Sequence, residues 1–336
     1  MRLRFRFYAC ALIVMLMLSI FAAACGNDSG KPKVRVGEVA RTVFYAPQYV
    51  ALAKGFFTEQ GIDVELQTTA GGDKTMTALL SGGIDIALVG SETSIYVFQQ
   101  GADNPVINFA QLTQTDGTFL MAREHDGTFD WNELKGSVFL GQRKGGMPQM
   151  AGEFTLRKHG IDPQKDLNLI QNVDFANVAS AYASGTGQYV QLFEPQASIF
   201  EREGRGTVVA SFGIESGQLP YTAYMAKGSY LDEKADVVQK FTNALQLAQR
   251  WVATNSAEDI ADAILPYFKD ADRSIVIDAV KRYKEQGSYA SDGVFEQEEW
   301  NNLHDVLRTA GELKQDVPLE RLVNNRFAEQ AKQTVK

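Results

Sequence analysis

Ala51-Leu52-Ala53-Lys54-Gly55-Phe56-Phe57-Thr58-Glu59-Gln60-Gly61-Ile62 reads as a helix that stops at a glycine and runs straight into a strand. The helix starts near Pro47 and carries Tyr49, Val50, Ala53, Phe56 and Phe57 at three-to-four spacing, with Gly61 as its stop. Ile62-Asp63-Val64-Glu65-Leu66 on one side and Val34-Arg35-Val36-Gly37-Glu38-Val39 on the other alternate apolar and polar residues, as strands do. Gly71-Gly72-Asp73 then opens a helix to about Ser81. Ile84-Asp85-Ile86-Ala87-Leu88-Val89 is a third strand, ended by Gly90-Ser91-Glu92-Thr93, where another helix begins. A β-α-β-α-β order requires right-handed crossovers and a mostly parallel sheet. The fold class is α/β.

The pattern restarts downstream. Ser137-Val138-Phe139-Leu140 is a strand, the loop from Gly141 to Met147 follows, and a helix runs over about 149–159. A strand at 167–170, a helix at 176–183 and a strand at Tyr189-Val190-Gln191-Leu192-Phe193 complete the second unit, which ends at Glu194-Pro195. Beyond about residue 235 the pattern is helical. Val237, Val238, Phe241, Leu245, Ala248 and Trp251 form one apolar stripe; Trp300, Leu303, Val306, Leu307 and Ala310 form another. The length of 336 residues suits two domains. Two α/β units with the terminal helices packed around them account for the whole pattern.

The amino terminus has a different character. Arg2, Arg4 and Arg6 precede an uncharged run from Phe7 to Ala24, the layout of a secretory signal. Ala22-Ala23-Ala24-Cys25 resembles the lipobox of bacterial lipoproteins, although the usual leucine is Ala22 here. That resemblance implies a signal peptide over 1–24, lipidation of Cys25, and a flexible tether over 25–33, whose Gly26-Asn27-Asp28-Ser29-Gly30 is polar and glycine-rich. The alternative is an uncleaved membrane anchor. Loss of Arg2, Arg4 and Arg6 would move the net charge from −8 to −11. An acidic body offers no general attraction to phosphate backbones, so nucleic acid is not an expected partner. Both cysteines, Cys10 and Cys25, lie in the amino-terminal segment, which excludes a disulfide framework, a cysteine-based metal site and a cysteine nucleophile from the body.

Taken in order, the lipobox, the tether, the Tyr45-Ala46-Pro47-Gln48 turn, the Ala51–Ile62 stretch, Ser81-Gly82-Gly83-Ile84-Asp85-Ile86-Ala87 and Phe193-Glu194-Pro195 resemble the solute-binding proteins of bacterial ABC importers. The nearest branch includes the sulfonate- and thiamine-pyrimidine-precursor-binding proteins. The resemblance is strongest over 34–130 and continues to about 230. It implies a two-lobed, periplasmic-binding-protein-like fold of type II, with the lobes joined by a two-stranded hinge and a helical C-terminal segment. Lobe 1 would comprise 34–117 and 222–336, and lobe 2 would comprise 118–221. The chain would leave lobe 1 near 114–121 and return near 220–225. Thr118-Phe119-Leu120-Met121 and Tyr221-Thr222-Ala223-Tyr224-Met225 are extended-looking segments suited to crossing between lobes. The resemblance further implies a monomer, held on the extracytoplasmic face of the cell membrane by its lipid. Its partners would be a small-molecule ligand and the permease subunits with their ATPase, and it would need no cofactor and no metal.

In open α/β sheets ligands sit beyond the carboxyl ends of the strands. Four loops take that position: Arg41 to Tyr45, Thr69 to Asp73, Gly90 to Thr93 and Gly141 to Met147. They nominate Phe44, Tyr45, Gly72, Asp73, Ser91, Glu92, Thr93, Gln142, Gly145, Gly146 and Met147; Glu194 and Tyr221 join them from the second unit and the return strand. Glycines at helix starts expose backbone N–H groups in the positive end of the helix dipole. Phe44 and Tyr45 either stack on a flat ligand or cap the core. Glu92 and Glu194 either accept from an amino group or are solvated loop carboxylates, and Asp73 suits a charge in the first turn of its own helix. Aromatics with carboxylates favour an amino-bearing heteroaromatic such as a thiamine pyrimidine precursor. A sulfonate would instead want helix N-termini with Arg41, Lys74 or Arg143.

Catalytic signatures are missing from the sequence. His125, His159 and His304 are far apart, and no nucleophile elbow or phosphate loop occurs. The eukaryotic pyrimidine-precursor synthases share the implied fold, but the resemblance to them would need a cysteine-rich motif that this body lacks. A binding protein rather than an enzyme is expected.

Overall fold

The computed structural model describes residues 30–335. The signal sequence and Cys25 therefore lie outside the described residues. From Lys33 onward the chain forms two five-stranded sheets, and ten strands are numbered here in chain order. The first sheet holds β1 (Lys33–Glu38), β2 (Asp63–Thr68), β3 (Ile86–Gly90), β4 (Val106–Thr113) and β10 (Thr222–Lys227), in the order β2-β1-β3-β10-β4. The second holds β5 (Thr118–Ala122), β6 (Val138–Leu140), β7 (Asn168–Ile170), β8 (Tyr189–Phe193) and β9 (Thr207–Ser211), in the order β7-β6-β8-β5-β9.

Both sheets follow one plan. β1 pairs in parallel with β2 and β3, and β6 with β7 and β8. Each sheet then accepts one strand running the other way: β10 between β3 and β4, and β5 between β8 and β9. Parallel strands need crossover helices on the sheet faces, which is why β3 is buried along nearly its whole length.

The connection between the sheets falls just ahead of the strands expected to make it. Residues 114–117 lead out of the first sheet and 217–221 lead back. The amide of Leu219 donates to the Gln114 carbonyl at 3.0 Å, and that of Tyr221 to the Thr113 carbonyl at 3.1 Å. Thr118 to Met121 and Thr222 to Met225 are not crossing segments; they are interior strands of separate sheets. Gly117 has to be a glycine at this crossing, because a Cβ there would sit 2.8 Å from the rings of Phe44 and Phe193.

Two further local differences have physical causes. The helix expected over 47–60 breaks into Ala46–Ala53 and Phe56–Glu59, because Gly55 takes a left-handed φ of 76° between them. β4 and β9 extend the sheets beyond the strands expected from sequence. Of the two tail stripes, Val238, Phe241, Leu245, Ala248, Trp300, Leu303, Val306 and Leu307 are buried, whereas Trp251 is half-exposed with the Lys54 ammonium 4.5 Å over its ring. The Trp300 indole N–H donates to the Val317 carbonyl at 2.8 Å, which satisfies its only polar atom.

Candidate functional site

A cleft of about 670 Å³ opens between the two sheets, beyond the carboxyl ends of β1, β3 and β6. Its first wall starts at Glu38, the last residue of β1. This carboxylate is fully buried and accepts from Gln48 Nε2 (2.8 Å), the Tyr49 hydroxyl (2.7 Å), Thr68 Oγ1 (2.8 Å) and Arg41 Nε (3.1 Å). With all its lone pairs engaged, Glu38 fixes the loop that brings Arg41, Thr42 and Tyr45 to the cleft. Nothing in the sequence marks it, since its partners converge only on folding.

The second wall is the Gly90-Ser91-Glu92-Thr93 turn and the Glu92–Gln99 helix. Glu92 is 4% exposed. Its Oε1 accepts the backbone N–H of Met147 at 3.2 Å, across the cleft. Its Oε2 has no partner. Burial pushes this carboxyl up to about 7, against the opposing pull of its own amide and that of Met147. One turn further along, Tyr96 also faces the cleft, and its hydroxyl lies 3.3 Å from Met150 Sδ of the opposite wall. The four-residue spacing from Glu92 was the available signal for Tyr96.

The opposite wall is the 141–147 loop and the Met147–Lys158 helix. Gly146, its N-cap, has no side chain, and Pro148 has no N–H. The amide of Met147 is therefore capped by Glu92 from the other side of the cleft. Gln142 is buried and donates Nε2 to the Gln191 carbonyl at 2.7 Å. Because a carbonyl needs a donor, that contact fixes the amide orientation and leaves Gln142 Oε1 as an acceptor without a partner. At the mouth, Arg143 Nη2 reaches Asp73 Oδ1 at 3.1 Å. Partial burial works against the Asp73 carboxylate, but Arg143 and nearby amides outweigh it and hold the group below its ordinary range.

Tyr45, Gly72, Asp73, Glu92, Thr93, Gln142, Gly145, Gly146, Met147 and Tyr221 all line this one cavity. Three nominated residues do something else. Phe44 is 1% exposed and packs against Tyr45, Phe193, Tyr221 and Tyr283 with ring centroids 5.0–5.8 Å apart; it belongs to the core behind the cleft. Ser91 is fully buried, and its hydroxyl donates to the Pro220 carbonyl, tying the turn to the return crossing. Glu194 touches the cavity but is committed elsewhere: Arg282 Nη1 lies 2.5 Å from its Oε1, and Ser198 donates to both oxygens at 3.0 Å. Of the cations suggested for a sulfonate, Lys74 is not among the cleft residues, Arg41 answers Glu38 and Arg143 answers Asp73. No cluster of three or more histidine, aspartate or glutamate residues suited to a metal occurs among the described residues.

Three buried polar atoms of cleft-lining residues have no partner, the acceptors Glu92 Oε2 and Gln142 Oε1 and the Tyr221 hydroxyl, which can donate or accept, and Lys144 adds a cation to the lining. Residues 27–265 match the model of the NMT1-like family. The chain belongs to the NMT1-like family. A relative, YtlA, a candidate binding protein of Bacillus subtilis (strain 168), is 58% identical over 322 residues, covering 96% of each chain. The expected class, a binding protein rather than an enzyme, is that of this relative. Among solved structures, the NMT1-like chain superposes on the ligand-binding component of an ABC-type import system from Staphylococcus aureus with a TM-score of 0.73 at 16% identity, over 90% of this chain and 99% of that one. The alkanesulfonate-binding protein SsuA from Xanthomonas axonopodis pv. citri, bound to MOPS, gives 0.70 at 15% identity, over 88% and 99%. At such identities the likeness concerns the fold, which is the periplasmic binding protein fold.

Proposed function

We propose that this chain is the solute-capturing component of an ABC importer, and that it closes two lobes around a small, flat, amino-bearing heteroaromatic such as a thiamine pyrimidine precursor. The lobes are 34–117 with 222–336, and 118–221. The loaded protein delivers its ligand to the permease subunits and their ATPase. It acts as a monomer, anchored at the extracytoplasmic membrane face through a lipid on Cys25.

The observation that carries the ligand reading is the pair of buried acceptor oxygens, Glu92 Oε2 and Gln142 Oε1, without partners in one cleft wall each. A ligand N–H satisfies such atoms, and an anion could meet only the protonated form of Glu92. Tyr45, Tyr96, Tyr221 and Phe193 supply ring surfaces around them. The alkanesulfonate reading has weaker support, since Arg41 and Arg143 already face carboxylates and the Met147 amide is capped by Glu92, which leaves Lys144 as the remaining cleft cation for it.

A thermal-shift screen tests this. A ligand at one hundred times its Kd stabilises by about 2.7 kcal/mol. 4-Amino-5-hydroxymethyl-2-methylpyrimidine is expected to raise Tm and alkanesulfonates to leave it unchanged. Stabilisation by alkanesulfonates alone overturns the ligand reading, and turnover of any bound compound overturns the binder reading.

A further inference from the structure

Two helices carry the cleft beyond its polar centre. On the Gly72–Ser81 helix, Asp73, Met76, Thr77 and Leu80 line the cavity. On the Glu92–Gln99 helix and its C-cap, Thr93, Tyr96, Val97 and Gln100 do the same. Both sets have the i, i+3, i+4, i+7 spacing of a single helix face, so each helix lends one stripe to the same wall. Seven residues of helix rise by about 10 Å, which is the reach of this groove from the strand ends to Leu80 and Gln100. Met147 and Pro148 of the opposite lobe line the same cavity.

The groove is apolar where the centre is not. Met76 and Val97 are buried, and Leu80 is 42% exposed. Among the described residues only Leu80 and Ile214 leave a large apolar side chain exposed, and of the two only Leu80 lines the cleft. The hydroxyls along the groove are already answered. Thr77 Oγ1 donates to the Asp73 carbonyl at 2.8 Å, Thr93 Oγ1 donates to the Gly90 carbonyl at 2.7 Å, and the Tyr96 hydroxyl lies 3.3 Å from Met150 Sδ. Asp73, the one charged group on the two stripes, is paired with Arg143 at the strand end, and Gln100 is exposed at the outer end. Nothing between those ends needs a polar partner, whereas apolar surface is stabilised by being covered.

Size points the same way. The cavity measures about 670 Å³. A pyrimidine ring with small substituents has about ten non-hydrogen atoms, roughly 300 Å³ at a water molecule's share of ~30 Å³ apiece. Such a ligand leaves the larger part of the cleft unfilled.

We propose that the groove along Met76, Leu80, Tyr96 and Val97 is a second compartment of the cleft, which receives an unbranched aliphatic limb carried by the captured ligand. This rests on the reading of the cleft as the capture site, and it enlarges the ligand class: the head in the polar centre bears a chain of several carbons. The groove side chains are aliphatic apart from Tyr96, which suits a chain better than a second ring. Each methylene moved from water onto such a surface tightens binding by up to about fourfold, and the gain ends where the chain passes Leu80 and meets water again.

Calorimetry of the purified full-length chain with two probe series tests this. One series is 4-amino-5-hydroxymethyl-2-methylpyrimidine with its methyl, propyl and pentyl ethers; the other is ethane-, butane- and hexanesulfonate. Wild-type affinity is expected to rise along the pyrimidine series by about two- to fourfold per methylene. Leu80→Asn changes an exposed side chain on a helix end whose Leu80 carbonyl is held by Lys227 Nζ at 2.7 Å, and is expected to flatten the series; Leu80→Met is expected to keep it. Ethers that bind no tighter than the parent pyrimidine overturn the compartment and leave the ligand reading standing. Pyrimidines that do not bind, beside sulfonates that tighten with length in wild type and not in Leu80→Asn, support the compartment and remove the amino-bearing head instead. No rise along either series overturns the proposal whatever the variants do, and so does a rise that Leu80→Asn leaves intact.

Discussion

Arg282 holds Glu194 across 88 positions of sequence. Nη1 lies 2.5 Å from Glu194 Oε1, while Nη2 lies 2.6 Å from Glu201 Oε2. One guanidinium from the Arg273–Gln286 helix thus answers two carboxylates, Glu194 just ahead of the Gln196–Arg202 helix and Glu201 on it. Next to it, the Tyr283 hydroxyl accepts from the Glu194 amide at 3.0 Å and donates to the Gly117 carbonyl at 2.9 Å. The tail therefore supports the crossing between the sheets, and does more than cover one of them.

Arg282→Met is expected to leave Glu194 buried without a cation. Burial already pushes that carboxyl up, and Arg282 with Ser198 opposes it. Breaking a buried pair from one side costs on the order of 3 kcal/mol. Urea unfolding is expected to show that loss, and Glu194→Gln in the same chain is expected to recover part of it. A variant as stable as wild type would mean that the pair contributes nothing.

Gly90→Ala bears on the cleft directly. A Cβ at Gly90 would come within 2.7 Å of the Glu92 carboxyl carbon and overlap its oxygens. Glu92 would have to leave its seat while the strand stays intact. Affinity for 4-amino-5-hydroxymethyl-2-methylpyrimidine, measured by calorimetry, is expected to fall at least about tenfold with little change in Tm, as when a buried acceptor no longer meets its donor. Unchanged affinity would show that the seat of Glu92 is irrelevant to capture.

Asp116 sets a pH dependence of stability. It is fully buried in the outgoing crossing, where its Oδ1 accepts from the Thr118 amide at 2.5 Å and from the Thr118 hydroxyl, and Oδ2 has no partner. Burial raises it from 3.8 to about 6, while Thr118 and Tyr221 pull it down. A raised carboxyl binds its proton more tightly when folded. Its contribution is therefore complete below about pH 4 and is lost as pH rises to about 6. Asp116→Asn is expected to gain Tm relative to wild type as pH increases across that interval. A constant Tm difference from pH 4 to 7 would refute the assignment.

Cys25→Ser is expected to move the protein from the membrane fraction to the soluble fraction, because a single acylated residue would carry the whole attachment. Fractionation of cells followed by immunoblotting reads the outcome. Retention on the membrane would favour an uncleaved signal anchor.

How much was legible follows the range of the interactions. The strand at Tyr189–Phe193 and the helix at Gly72–Ser81 are set by local alternation and by glycine, and they lie where the sequence places them. Glycine-rich turns at strand ends brought Glu92, Gln142 and Met147 to one cavity for the same reason. Phe44 and Tyr45 had equal standing as neighbours, yet Tyr45 lines the cleft and Phe44 does not. Phe193, Tyr221 and Tyr283 decide that by closing around Phe44 from distant parts of the chain. Glu194 looked as available as Glu92 until Arg282 reached it.

By itself the sequence determined the α/β class, the two units and the loops that face a cleft, because periodicity and glycine act within a few residues. Tertiary structure alone decided which side chains in those loops are left unanswered. A buried carboxylate is neutralised, capped or left with a free oxygen according to what the rest of the chain brings within 3 Å, and no local pattern encodes that. Glu38, Glu92 and Glu194 show the three outcomes: surrounded by donors, half-capped from the opposite lobe, and paired with the tail.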